Sequence, residues 1–273
     1  MIEEKLQAEG LSESLPKRIL ASLRQSRQRR IISPAAVAGP VCDLTVASYN
    51  VHKCVGRDRR FDPGRTAEVI REIDADVIAL QEADTRFGER TGLLDLGWLE
   101  RETGLTRVPL SVSERAHGFH GNTLLFREGL VRDLNTVRLP GLEPRGALVA
   151  ELELKDSREL RIIAAHFGLL RHSRRQQANH ILDIVRNGGE YPTLLVGDLN
   201  EWRLGKGSAL RALAPVFDAS VAVPSFPAGL PVLALDRILS NRPDLIRSVE
   251  VHDSPLARVA SDHLPIKAFL HFS

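Results

Sequence analysis

The chain has 273 residues, 43% of them hydrophobic and 26% charged, a balance that excludes a disordered or low-complexity protein and allows a substantial buried core. With 37 Lys and Arg against 35 Asp and Glu, the net charge of +2 selects no class of partner by itself. Two cysteines, Cys42 and Cys54, are too few for a disulfide framework and suit a reducing, cytoplasmic setting, while no run of about eighteen apolar residues marks a membrane-spanning helix.

Residues 1–40 read as an appended arm and linker. The first twenty mix charge with apolar positions and lack the apolar run of a secretory leader. Lys17 to Arg30 carries six basic residues and no acid, which makes peripheral contact with an anionic membrane one expected role and packing against the rest of the chain another. SPAAVAGP, from Ser33 to Pro40, has linker composition. A catalytic domain is expected over 41–273.

In chain order, LTVASYNV from Leu44 predicts a strand running into a polar cluster. Asp62-Pro63 then predicts a helix start, with Asp62 as N-cap and Thr66, Ile70 and Ile73 forming a buried stripe. DVIALQE follows as a buried strand ending at Glu82. NTLLF from Asn122 and GALVAELEL from Gly146 are further strand candidates. The strand–helix–strand layout recurs when LRIIAAHF runs into His166, SRRQQANHILDIVRN forms a helix stopped by Gly188, and TLLVGDLN ends at Asp198 and Asn200. PIKAFLHF is the last strand. Many strands with few long helices argue for an α+β fold, a two-layer β-sandwich flanked by helices in four layers, α/β/β/α, with the N-terminal helical arm added.

Several of these apolar strands end in a side chain able to bind metal, move a proton or grip phosphate, and loops along one edge of a rigid sheet are where such groups converge. Any one of them alone is an ordinary turn residue. Together, YNVHK around Asn50, ALQEAD around Glu82, AAHFG around His166, VGDLNEW around Asp198 and Asn200, LDRI around Asp236 and SDHLP around Asp262 and His263 occur in an order that resembles the endonuclease/exonuclease/phosphatase superfamily.

That resemblance implies a phosphoric ester hydrolase dependent on Mg²⁺ or Mn²⁺, a hard cation served by oxygen ligands. It implies Glu82 as ligand carboxylate, Asn50 as amide ligand and Asp262 as the second metal-side carboxylate. Asp198 matches the residue that deprotonates the attacking water, and Asn200, on a continuing strand, would donate to a phosphoryl oxygen. His263 is expected to pair with Asp236, and His166 to donate to the phosphate. Arg145 in EPRGAL and Asn122 in HGNTLLF are expected phosphate contacts.

Basic residues follow several motifs: Lys53, Arg57, Arg59 and Arg60, then Arg86 and Arg90, then Arg171, Arg174 and Arg175. They read either as a positive rim that draws in an anionic phosphoester or as a solvated loop face. Aromatics make up only 5% of the chain, which weighs against a nuclease groove lined with stacking side chains. Lipid head groups or small phosphodiesters are therefore placed ahead of nucleic acid as substrate. Phosphomonoester hydrolysis and a non-catalytic scaffold are the remaining alternatives.

Overall fold

The computed structural model describes residues 42–272 apart from 86–89, 111–114, 156, 204 and 219–220. The expected arm and linker over 1–40, including Lys17 to Arg30, lie outside the described residues.

The first strand, β1 (Leu44–Asn50), has both faces buried, so its sequence reads as a nearly continuous apolar run. Val46 faces one core and Ala47 and Tyr49 the other. Helix α1 (Pro63–Ile73) starts as the sequence predicts, with the Asp62 carboxylate accepting from Arg65 N at 2.8 Å, and buries Thr66, Ile70 and Ile73 together with Ala67 and Val69. It crosses over to β2 (Val77–Gln81), which lies parallel to β1 with Asn50 opposite Gln81. Helix α2 (Leu96–Thr103), β3 (Thr106–Arg107) and β4 (Thr123–Phe126) complete this part of the chain.

The second sheet repeats the device. Strands β5 (Leu130–Leu139), β6 (Arg145–Glu153) and β7 (Glu159–Ala165) form a meander; helix α3 (Arg171–Asn187) then crosses to β8 (Thr193–Asp198), parallel to β7, and β9 (Asp236–Ser240) pairs antiparallel with β8. The chain returns to the first sheet through β10 (Ile246–Val251), the short helix α4 (Ala257–Ala260) and β11 (Ile266–Leu270). The sheet orders are β10-β11-β1-β2-β4-β3 and β5-β6-β7-β8-β9.

Three apolar clusters hold these layers. Val46, Ala79, Leu124, Leu148, Ile162, Val196, Ile238 and Ala268 fill the space between the sheets. Ile70, Ile73, Ile78 and Leu80 join α1 to the outer face of one, and Ile163, Ala178, Ile181, Val185 and Leu195 join α3 to the outer face of the other. The four-layer α/β/β/α sandwich expected from the sequence is the fold observed.

This topology concentrates chemistry along one edge. The parallel strands β1, β2, β7 and β8 end there, and the antiparallel strands β4, β6, β9 and β11 begin there, as the pairing of Asp198 with Asp236 shows.

Candidate active site

Asp198 is the centre of the edge. It ends β8, is 1% exposed, and its Oδ2 accepts a hydrogen bond from Asn50 Nδ2 at 3.0 Å, across from one sheet to the other. The same oxygen lies 3.5 Å from His166 Nε2 and 3.8 Å from His263 Nε2. Oδ1 accepts from the backbone N–H of Asn200 at 2.9 Å.

His263 is fixed from its other side. Its Nδ1 lies 2.9 Å from Asp236 Oδ2, which also accepts from Ser225 Oγ at 2.5 Å, and the Phe226 ring packs 4.8 Å from the imidazole. Burial alone would lower the pKa of this imidazole, but the carboxylates of Asp236 and Asp198 outweigh burial and raise it to about 10. His166 goes the opposite way: burial pushes it down to about 4, with Asp198 opposing and the Arg145 guanidinium adding to the fall. Two histidines about one carboxylate are thus held in different charge states near pH 7, one cationic and one neutral.

Arg145, the first residue of β6, puts Nη1 3.0 Å from both ring nitrogens of His166 and donates from Nη2 to Glu143 Oε2 at 3.0 Å. Its Nε is buried and has no hydrogen-bond partner, a donor left over for an anion.

Glu82 follows β2 in a left-handed conformation, φ 56°, and pairs with the Lys53 ammonium. Burial favours its neutral form, but the hydrogen bond and charge of Lys53 keep its pKa below the usual carboxylate range. Asp262 Oδ1 lies 3.8 Å from His52 Nδ1, and Asn50 Oδ1 accepts from His52 N at 3.0 Å. Glu82, Asp262 and Asn50 offer oxygen donors only, and a Lys ammonium already rests on Glu82, so this side of the site fits a hard divalent cation. Asp198, Asp236 and His263 also bring ligand-capable atoms within 4.8 Å of one another. There, however, His263 itself supplies the positive charge between the two carboxylates.

Two expected contacts take a different form. β8 stops at Asp198 and Asn200 turns into the left-handed region, φ 51°, so it reaches the site through its backbone N–H while Nδ2 donates to Phe167 O at 3.0 Å. Asn122 is fully buried, and both hydrogens of Nδ2 go to backbone carbonyls, Phe119 at 3.2 Å and Gly146 at 2.9 Å. It joins the start of β4 to β6, one sheet to the other.

The positive rim is also only partly as expected. Arg174 is buried and bonded to Glu201, and Lys53 is paired with Glu82. Arg171 and Arg175 are exposed, and Arg86 lies outside the described residues.

Sequence reasoning passed over Asp84, His52 and Ser225 as contributors. Asp84 is 4% exposed, its Oδ2 makes no hydrogen bond and lies 3.8 Å from Arg90 Nη1, and burial raises its pKa to about 6 against the pull of Arg90. Asp84 and His52 stand inside motifs already singled out, whereas Ser225 sits eleven positions before its partner in a loop with no local signal.

No curated protein sequence matches the chain. Among solved structures, it is similar to a Bacteroides thetaiotaomicron VPI-5482 mannosyl-6-phosphatase, 18% identical with a TM-score of 0.65, covering 84% of this chain and 100% of that one. An endonuclease/exonuclease/phosphatase from Beutenbergia cavernae DSM 12333 is 21% identical with a TM-score of 0.62, covering 84% and 72%. The human Nocturnin catalytic domain with bound sulfate is 18% identical with a TM-score of 0.59, covering 84% and 94%. At these identities the likeness establishes the fold. The model of the endonuclease/exonuclease/phosphatase family matches residues 47–263, most of the chain and every motif around Asp198, and the chain belongs to that family.

Proposed function

We propose that the protein is a divalent-metal-dependent phosphodiesterase that cleaves a lipid-derived or small phosphodiester by attack of water. The observation that carries this reading is the buried Asp198 carboxylate, aimed by Asn50 and Asn200 and flanked by a cationic and a neutral histidine. Glu82, Asn50 and Asp262 would hold Mg²⁺ or Mn²⁺, whose charge offsets that of the phosphoryl oxygens.

The protein's own groups divide the remaining work. Asp198 accepts the proton of the attacking water as the new O–P bond forms and the P–O bond to the leaving group opposite breaks, the departing oxygen taking its proton from solvent. Asn50 and the Asn200 N–H hold that carboxylate in one orientation, which keeps the oxygen and phosphorus aligned. His263, protonated through its contact with Asp236, stabilises charge growing on a phosphoryl oxygen, a role its raised pKa supports over that of base. Neutral His166 donates one N–H, and Arg145 grips phosphate through its unpartnered Nε.

A second reading, phosphomonoester hydrolysis, is favoured by the cavity beside Glu82, where Lys53, Arg90, His120 and Arg145, donors suited to a terminal phosphate, line the same walls as Glu82, Asp84 and Glu143. The deciding experiment compares bis(p-nitrophenyl) phosphate with p-nitrophenyl phosphate, each with Mg²⁺, Mn²⁺ or chelator, for the wild type and Asp198→Asn. Faster turnover of the diester, abolished by chelator and by the substitution, supports the proposal. Preference for the monoester moves the reading to a phosphatase, and no metal-dependent turnover of either sinks both.

A further inference from the structure

Beside the site lies a surface that the hydrolysis reading does not use. The β5–β6 turn exposes Leu142 (85%), and the loop between β7 and α3 exposes Leu169 (67%) and Leu170 (49%). These leucines belong to adjoining loops, since Leu169 N donates to Glu143 Oε1 at 2.6 Å, and Glu143 in turn holds Arg145 at the site. The loop under them is tied down: Gly168 N donates to Gln177 Oε1 at 2.8 Å, and the buried Arg174, bonded to Glu201, donates to the carbonyls of Gly168 and Leu169. Aliphatic side chains are thus presented to solvent on a backbone that is firmly anchored from below.

Immediately beyond Leu170, Arg171 and Arg175 on α3 face Lys206 and Arg211 across a surface pocket whose lining contains no acid. Arg171 Nε donates to Gly207 O at 3.1 Å, while the side chains of Arg175, Lys206 and Arg211 make no hydrogen bond or ion pair with another described residue. Four cations held together without a counter-charge raise one another's electrostatic energy, a cost relieved when an anion arrives.

We infer that this leucine and arginine surface docks the protein on an anionic phospholipid bilayer, the leucines entering the head-group layer and the basic pocket taking lipid phosphate. Charge and shape select this partner. Nucleic acid would match the cations, but single strands are gripped by aromatic stacking and duplexes by backbone contacts that leave exposed leucines wet. A bilayer satisfies both halves at once. The inference extends the hydrolysis reading and does not require it, because adsorption is measured without turnover.

The test is co-sedimentation of the full chain with phosphatidylcholine vesicles, with and without phosphatidylglycerol. The variants are Arg175→Glu/Arg211→Glu and Leu142→Ser/Leu169→Ser, both at exposed positions. Binding of the wild type to anionic vesicles that weakens with salt, falls about thirtyfold or more in the charge-reversed protein and falls in the serine variant too is the expected result. Urea unfolding midpoints close to that of the wild type in both variants, as expected for exposed positions, show that each is folded. Equal vesicle binding by all three proteins would overturn the inference and assign adsorption to another part of the chain. Loss of duplex DNA binding in the charge-reversed protein, with the serine variant binding vesicles as the wild type does, would overturn it in favour of a nucleic-acid surface.

Discussion

Asp236→Asn removes the charge behind His263 while the amide oxygen can still accept from Ser225 Oγ and His263 Nδ1; the amide NH2 takes the place of the buried, unpartnered Oδ1, a cost that does not vary with pH. The imidazole is raised from 6.5 to about 10. At 1.36 kcal/mol per unit, that rise is worth about 5 kcal/mol shared among Asp236, Asp198 and Asp262. Breaking a buried pair outright costs about 3–5 kcal/mol, so removal of the Asp236 charge with its hydrogen bonds kept should cost about 2–3 kcal/mol. The folded-state pKa lies above the unfolded one; the stabilisation is therefore complete below pH of about 6.5 and is lost as pH rises through about 10. Urea unfolding of both proteins in chelator, at intervals from pH 6 to 10, should show the wild-type advantage shrinking across that window. NMR titration of labelled histidine should place the His263 transition lower in the variant. A stability gap that stays constant or widens as pH rises would refute the reasoning.

Asp198→Asn should lower turnover by about 10²- to 10⁴-fold under saturating metal, the usual contribution of a positioned general base, read by initial rates on the preferred ester. Asn122→Ala, which removes the donor to Phe119 and Gly146, should cost about 2 kcal/mol in urea unfolding by loosening one sheet from the other. Burial raises the Cys54 thiol to about 11, two units above its ordinary value, so at pH 8 iodoacetamide should modify it at least about a hundredfold more slowly in the folded protein than after denaturation, counted by mass spectrometry. Arg145→Lys should lower kcat/KM by about tenfold, since an ammonium cannot reproduce the planar contact, and the change should appear in initial rates at low substrate.

The layered fold was legible because both crossover units bury their strands on two faces and leave unmistakable apolar runs at Val77–Gln81 and Thr193–Asp198. β5 was not, since a bulge between Val131 and Asp133 breaks its alternation and most of the strand is exposed. Among the candidate site residues, those ending strands were easily found, for strand direction alone carries them to a common edge. What the strand pattern could not supply is the turn after it: Lys53, Glu82 and Asn200 all adopt left-handed conformations, which redirect side chains away from simple alternation. Nor could it supply the competition for donors that commits Asn122 to backbone carbonyls, because that depends on how closely β4 approaches β6.

β1 has a further consequence for how the molecule can be handled. It runs from Leu44 to Asn50 toward the site, and its antiparallel neighbour β11 runs away from it, so that Asp43 N meets Leu270 O at 2.9 Å on the far rim of the sheet. Seven residues of extended chain set that rim about 20 Å from Asn50. Polypeptide entering before β1 and polypeptide leaving after β11 therefore attach side by side at the back of the sandwich. A donor–acceptor pair at Asp43 and Phe272, whose backbone N–H donates to Asp43 Oδ2 at 2.8 Å, would report on unfolding from a rim remote from the catalytic groups.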